Sequence, residues 1–168
     1  MTYEEARKLA EDGDLLFLSF DKTNVLSRIT AFTTQSIFTH VAILFWYRER
    51  LMLVESTTHG GLRVVNASVY KDREVHMLKA PKPWWQISDR ALSRIGTVKY
   101  GWFSSIYIGI RDVLHRYFDW HLPPNTGNRN MACSEFVSLV LELEDDDIPP
   151  RQLYEILNGQ LNRTSFGA

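Results

Sequence analysis

The sequence predicts an α+β domain, because strand-like runs crowd its first half, helical periodicity marks its second, and Pro81 and Pro83 stand at the change between them. The elements follow in order. Thr2 with Glu5 three residues later forms a capping-box signature, and Gly13 is a helix stop, so a short helix is expected over residues 3 to 12. Leu15 to Phe20 is a short apolar run between Gly13-Asp14 and Asp21-Lys22, which suits a buried strand. Val25, Ile29 and Phe32 fall near helical spacing and predict a second helix over residues 24 to 34.

His40 opens HVAILFWY, a β-branched and aromatic run that Arg48-Glu49-Arg50 turns back into LMLVEST. That pattern is a hairpin. Gly60-Gly61 leads into LRVV, and Arg73 to Lys79 gives one more alternating segment before the prolines interrupt it. Beyond Pro83, Ser88 is the expected N-cap of a helix over residues 89 to 98, and a second helix is expected from Trp102 to Tyr117. The loop HLPPNTGNRN precedes a third helix, residues 132 to 143, and Pro149-Pro150 opens a last one expected to end near Asn158-Gly159.

The 168 residues suit a single domain, 1–168, and 45% of them are hydrophobic, enough for a core that needs no staples. Lys and Arg number 19 against 20 Asp and Glu, so the net charge of −1 gives no general reason to expect nucleic acid as a partner. No apolar run reaches the roughly 18 residues of a membrane span, and MTYEEARKLAEDGD has neither the basic start nor the apolar core of a secretory signal. The expectation is a cytoplasmic protein without stable membrane insertion.

Cys133 is the chain's one cysteine, so it has no partner for an internal disulfide. It stands where the polar loop gives way to a helix whose apolar positions are Phe136, Val137, Val140 and Leu141. At the start of a helix, unpaired N–H groups and the helix dipole favour a thiolate, and the same N–H groups can hold an oxyanion. A lone cysteine is more often a small packing residue. His40, at the start of a strand, and Glu55, on the returning strand of the hairpin, change that weighing. A carboxylate on one imidazole nitrogen fixes the tautomer and turns the other nitrogen to the thiol. The plainer alternatives are a strand-end histidine bonded to backbone and a solvated glutamate paired with a neighbouring cation.

Gly13-Asp14-Leu15-Leu16-Phe17, Thr39-His40-Val41-Ala42-Ile43, Val54-Glu55, Tyr100-Gly101 and Ala132-Cys133-Ser134-Glu135-Phe136 together resemble the circularly permuted branch of the NlpC-type papain-fold amidases, the YiiX-like proteins. In the unpermuted family the cysteine helix comes first; in this chain it follows both strands. The resemblance implies a papain-like antiparallel sheet packed on the cysteine helix, with Cys133 as nucleophile, His40 as base and Glu55 as the third member. It further implies that Tyr100 and Ser134 line the substrate or oxyanion site. Ala42 departs from the glycine common two residues after this histidine, and apart from Tyr100-Gly101 residues 84 to 131, rich in aromatics, match nothing assignable in the family.

The implied activity is cleavage of an amide or isopeptide bond through an acyl-enzyme, with a small peptide, a peptidoglycan fragment or an acyl compound as substrate. Acyl transfer or lipid ester cleavage on the same fold is the alternative, and a non-catalytic binding module is a second. Cell-wall cleavage would require release by lysis or a separate export system. No cofactor is expected. His59, His76, His115 and His121 are scattered, with no second cysteine and no paired-histidine motif, so no metal site is expected either. The acidic run Glu142 to Asp147 reads as a solvated linker, and the aromatic stretch from Trp102 to Trp120, broken by charges, reads as a packed amphipathic helix.

Overall fold

Leu15, Leu16, Phe17 and Leu18 are all buried, which explains why their run is continuously apolar rather than alternating. They lie in strand β1 (Leu15–Ser19), near the middle of a five-stranded sheet. The computed structural model describes residues 1–19, 37–58, 60–99, 101–120, 122–123, 131–144 and 148–165, with side chains left undescribed at 102–106, 116 and 160–165. The helix expected over 24 to 34 lies outside the described residues, as do Phe20, His59, Tyr100, His121 and Asp145 to Asp147.

The other strands are β2 (Phe38–Tyr47), β3 (Arg50–Thr57), β4 (Gly61–Asn66) and β5 (Val75–Leu78). They pair antiparallel in the order β4-β3-β2-β1-β5. Among the described residues the helices are α1 (Tyr3–Leu9), α2 (Trp84–Leu92), α3 (Trp102–Phe118), α4 (Cys133–Leu141) and α5 (Pro150–Ser165). The class is α+β. Successive strand residues point to opposite faces, so β1 feeds two cores. Leu15 and Phe17 join Phe136, Val137 and Val140 of α4 and Leu153 and Leu157 of α5, while Leu16 and Leu18 join Tyr3 and Ala6 of α1.

Two features of the sheet bear on the site. The β2–β3 hairpin turns tightly at Arg48, whose φ of 55° is left-handed, and its ladder runs from Tyr47↔Arg50 to Ile43↔Val54. Continuing that register sets Glu55 level with Ala42, two residues along β2 from His40. On the other side of β2 the register slips, since Leu18 pairs with His40 but Ser19 pairs with Phe38. Thr39 is therefore an extra residue. Such a bulge bends a strand and re-aims its side chains, and it allows Phe38 and Val41, an odd number of residues apart, to reach the same core.

Helix boundaries differ from those expected, most of all in three helices, and α2 ends at Leu92 rather than at Val98. The first helix stops at Leu9, capped by Ala10, while Gly13, at φ 95°, makes the turn into β1. Ser88 is not an N-cap: α2 begins at Trp84, because the stripe Trp84, Ile87, Ala91 starts there and Trp84 stacks on Phe45 at 5.2 Å. Gly159 does not end α5, which continues to Ser165. A glycine inside a helix costs about 1 kcal/mol, and the buried pair Leu153 and Leu157 outweighs it.

Candidate active site

Cys133 is the first residue of α4. The helix forms here because Phe136, Val137, Val140 and Leu141 repeat at helical spacing and are all buried against the sheet, where α4 packs on β2 and β3. Its first turn is fixed by Glu135, whose carboxylate accepts a hydrogen bond from the Ala132 N–H at 2.5 Å. That is half of a capping box, since Ala132 has no side-chain acceptor to return the bond. The first bond of the helix proper runs from the Phe136 N–H to the Ala132 carbonyl, so the Cys133 and Ser134 N–H groups lie ahead of the helical ladder. Cys133 is 5% exposed and Ser134 is buried.

His40 and Glu55 are brought together. His40 Nε2 lies 2.7 Å from Glu55 Oε2, with the carboxylate wholly buried and the imidazole 16% exposed. Cys133 also acts on the ring by hydrogen bonding and charge, and the Tyr70 ring lies 6.0 Å away. Burial by itself would lower the His40 pKa, but the charge and hydrogen bonding of Cys133, and then the hydrogen bond and charge of Glu55, outweigh it and raise the value from 6.5 to about 10. With Nε2 committed to Glu55, Nδ1 is the nitrogen left to exchange a proton with the thiol.

Glu55 has two further partners that the sequence reading passed over. Arg63 donates from Nε at 3.0 Å and Nη2 at 2.8 Å to Oε1, and the Tyr70 hydroxyl donates to Oε2 at 2.6 Å. Burial would raise the Glu55 pKa, but the bonds and charge of His40, together with Tyr70 and Arg63, hold it down at about 2. The same carboxylate, after burial, helps push the Tyr70 phenol above its ordinary range, so Tyr70 remains a donor. Arg63 had a sequence signal: strands meeting at Gly60-Gly61 form a hairpin, and its register sets Arg63 opposite Glu55. Tyr70 had none, because it arrives through a 3-10 turn, Ala67–Tyr70, that Asn66 caps by accepting from the Ser68 N–H.

Tyr100 lies outside the described residues; its neighbours Lys99 and Gly101 both bond to Met131, two residues before Cys133. His76 stands apart from this cluster, edge-on to Phe38 at 4.9 Å. The acidic segment is not simply solvated, since Glu142 closes α4 in a left-handed conformation and pairs with Lys82 and, at 2.7 Å, with Arg90. The end of the aromatic stretch faces solvent, with Tyr117, Phe118 and Trp120 exposed, as is Trp85 on α2, while Ile108 is buried. Among the described residues no group of three or more His, Cys, Asp and Glu is placed to hold a metal ion, and no helix is long and apolar enough to cross a membrane.

An imidazole set between a thiol and an ionised carboxylate can take the thiol proton, hold the resulting charge, and give the proton to a leaving group. No protein-family model matches the chain, and no curated protein matches it significantly.

Proposed function

We propose that the protein is a cysteine hydrolase of amide or isopeptide bonds, on a permuted papain-like fold, with Cys133 as nucleophile, His40 as general base and acid, and Glu55 as the residue that orients His40. The single observation that carries this reading is His40 held between Cys133 and a buried, ionised Glu55. A cysteine that served packing alone would have no need of a charged relay, because burying a histidine and a glutamate costs free energy unless their pairing compensates.

The reaction proceeds in two halves. With the Cys133 proton already on His40 as imidazolium, the state its raised pKa favours, the thiolate sulfur forms a bond to the carbonyl carbon, and the oxygen becomes an oxyanion. The Cys133 and Ser134 N–H groups at the head of α4 are the donors for it. The C–N bond then breaks, with the departing amine taking the proton from His40. A water molecule, deprotonated by His40, attacks the thioester; the acid leaves and the thiol is restored. Glu55 stabilises the imidazolium in both halves without itself taking a proton.

The test is to incubate the protein with peptide amides, including peptidoglycan stem peptides, and separately with acyl lipids, and to search Cys133 for a thioester by mass spectrometry after acid quench. An acyl group transferred from the peptides, and absent in Cys133→Ala, is the expected result. Acylation by lipids alone would move the reading to acyl transfer or lipid hydrolysis, and the absence of any adduct would leave a binding module.

A further inference from the structure

We infer that Ser56 is a positioning residue of this site: its hydroxyl sets the distance between Cys133 and His40 by holding the backbone that leads into α4. The inference rests on the proposed chemistry. Ser56 is fully buried, and its Oγ donates to the Met131 carbonyl at 2.6 Å, across 75 residues of sequence. Met131 is two residues before Cys133. The neighbour of Ser56 on β3 is Glu55, and successive strand residues point to opposite faces. One dipeptide therefore grips both halves of the site, with Glu55 bonded to His40 and Ser56 bonded to the lead-in of the thiol.

The surrounding backbone makes that grip specific. Met131 is also bonded to Lys99 through its N–H at 3.1 Å and accepts from the Gly101 N–H at 3.2 Å. The preceding residues are tied to β4, where the Leu62 N–H donates to the Val98 carbonyl at 3.1 Å and the Gly96 N–H to the Leu62 carbonyl at 3.2 Å. Leu62 immediately precedes Arg63, the partner of Glu55. The approach is tight enough that a Cβ on Gly61 would lie 2.5 Å from the Val98 oxygen. Ser56 supplies the side-chain bond that joins this layer of backbone to the strand carrying Glu55. The hydroxyl of Ser56 is spent on the Met131 carbonyl, so its influence on the thiol passes through that residue.

The experiment measures the alkylation rate of Cys133 by iodoacetamide against pH, and the His40 titration by NMR, in the wild type and in Ser56→Ala, with thermal melts to establish folding. The expected result is alkylation slower by about tenfold to a hundredfold at neutral pH, with the His40 pKa displaced from about 10 toward 6.5 as the thiol withdraws. A purely structural serine would lower the melting temperature and leave both pH profiles unchanged. Where Ser56→Ala does not fold, the isosteric pair Ser56→Thr and Ser56→Val decides, since the two differ in the hydroxyl: Thr is expected to keep the wild-type profile and Val to lose it. Identical profiles in folded Ser56→Ala, or in Thr and Val, overturn the inference. If His40→Ala leaves wild-type alkylation unchanged, the proposed chemistry fails and the role of Ser56 fails with it; if only the Ser56 variants behave as wild type, the chemistry stands alone.

Discussion

Replacing Glu55 by glutamine should nearly abolish activity while hardly disturbing the fold, and the hydrogen-bond pattern shows why. Glu55 accepts four bonds: two from Arg63 to Oε1, and one each from Tyr70 and His40 to Oε2. Guanidinium only donates, so the glutamine oxygen must face Arg63 and its NH2 group takes the place of Oε2. Tyr70 adapts by turning its hydroxyl to accept. His40 adapts by becoming neutral, with Nε2 accepting and the proton on Nδ1, the nitrogen needed by the thiol.

All four bonds lose the carboxylate charge: the two from Arg63 stay charge-assisted through the guanidinium, while those with Tyr70 and His40 become neutral, which lowers stability by about 2–3 kcal/mol. The base, however, is in the wrong tautomer. The corresponding change in a serine protease triad lowers kcat by about 10⁴, and a loss of about 10³ to 10⁴ here corresponds to roughly 4–5.5 kcal/mol of transition-state stabilisation. The assay is the rate of Cys133 acylation by p-nitrophenyl acetate, together with the nitrogen NMR shifts of His40. A Glu55→Gln protein that carries its proton on Nδ1 yet acylates within about tenfold of wild type would show that His40 is not the base.

Further outcomes follow from the same geometry. His40, raised from 6.5 to about 10, adds stability that is complete below pH 6.5 and is lost as pH rises through 10, and Glu55, lowered from 4.5 to about 2, adds stability that is complete above pH 4.5 and is lost as pH falls toward 2. Urea melts across pH should therefore show greatest stability between 4.5 and 6.5, and a maximum at pH 9 would contradict these shifts. Gly61→Ala, strained at φ 64° and pressed on the Val98 oxygen, should cost more than the roughly 1 kcal/mol typical of a point change; a melt equal to wild type would show that the backbone layer yields. Phe136→Ala, at a fully buried position of α4, should lose about 3–5 kcal/mol in denaturant titration, and a loss under about 1 kcal/mol would mean that α4 is not the centre of the core.

The α+β class was legible because period-two alternation and a tight turn are local signals, and β2 and β3 carry both. The same hairpin foretold the nearness of His40 and Glu55 through register alone. Arg63 was equally open to that logic at the next hairpin. Tyr70 and Ser56 were not, since each meets the site through a turn or a distant backbone segment whose approach no local pattern encodes. Ser88 misled for a related reason: a cap preference worth about 1 kcal/mol yields to the stacking of Trp84 on Phe45 and the burial of Ile87. The bulge at Thr39, which sets the face of Phe38 against that of His40, depends on pairing with β1 and leaves no mark in β2 itself.

His40 is proposed to activate Cys133 for attack on an acyl carbon. The most direct measurement of that role compares acetylation of Cys133 by p-nitrophenyl acetate, followed by intact mass, in wild type and in His40→Ala at neutral pH. Rapid addition of a single acetyl group to Cys133 is expected in the wild type, followed by its release by water, with acylation slower by about 10² to 10⁴ in His40→Ala. Equal rates in the two proteins, or an acetyl group on any residue but Cys133, would contradict that role.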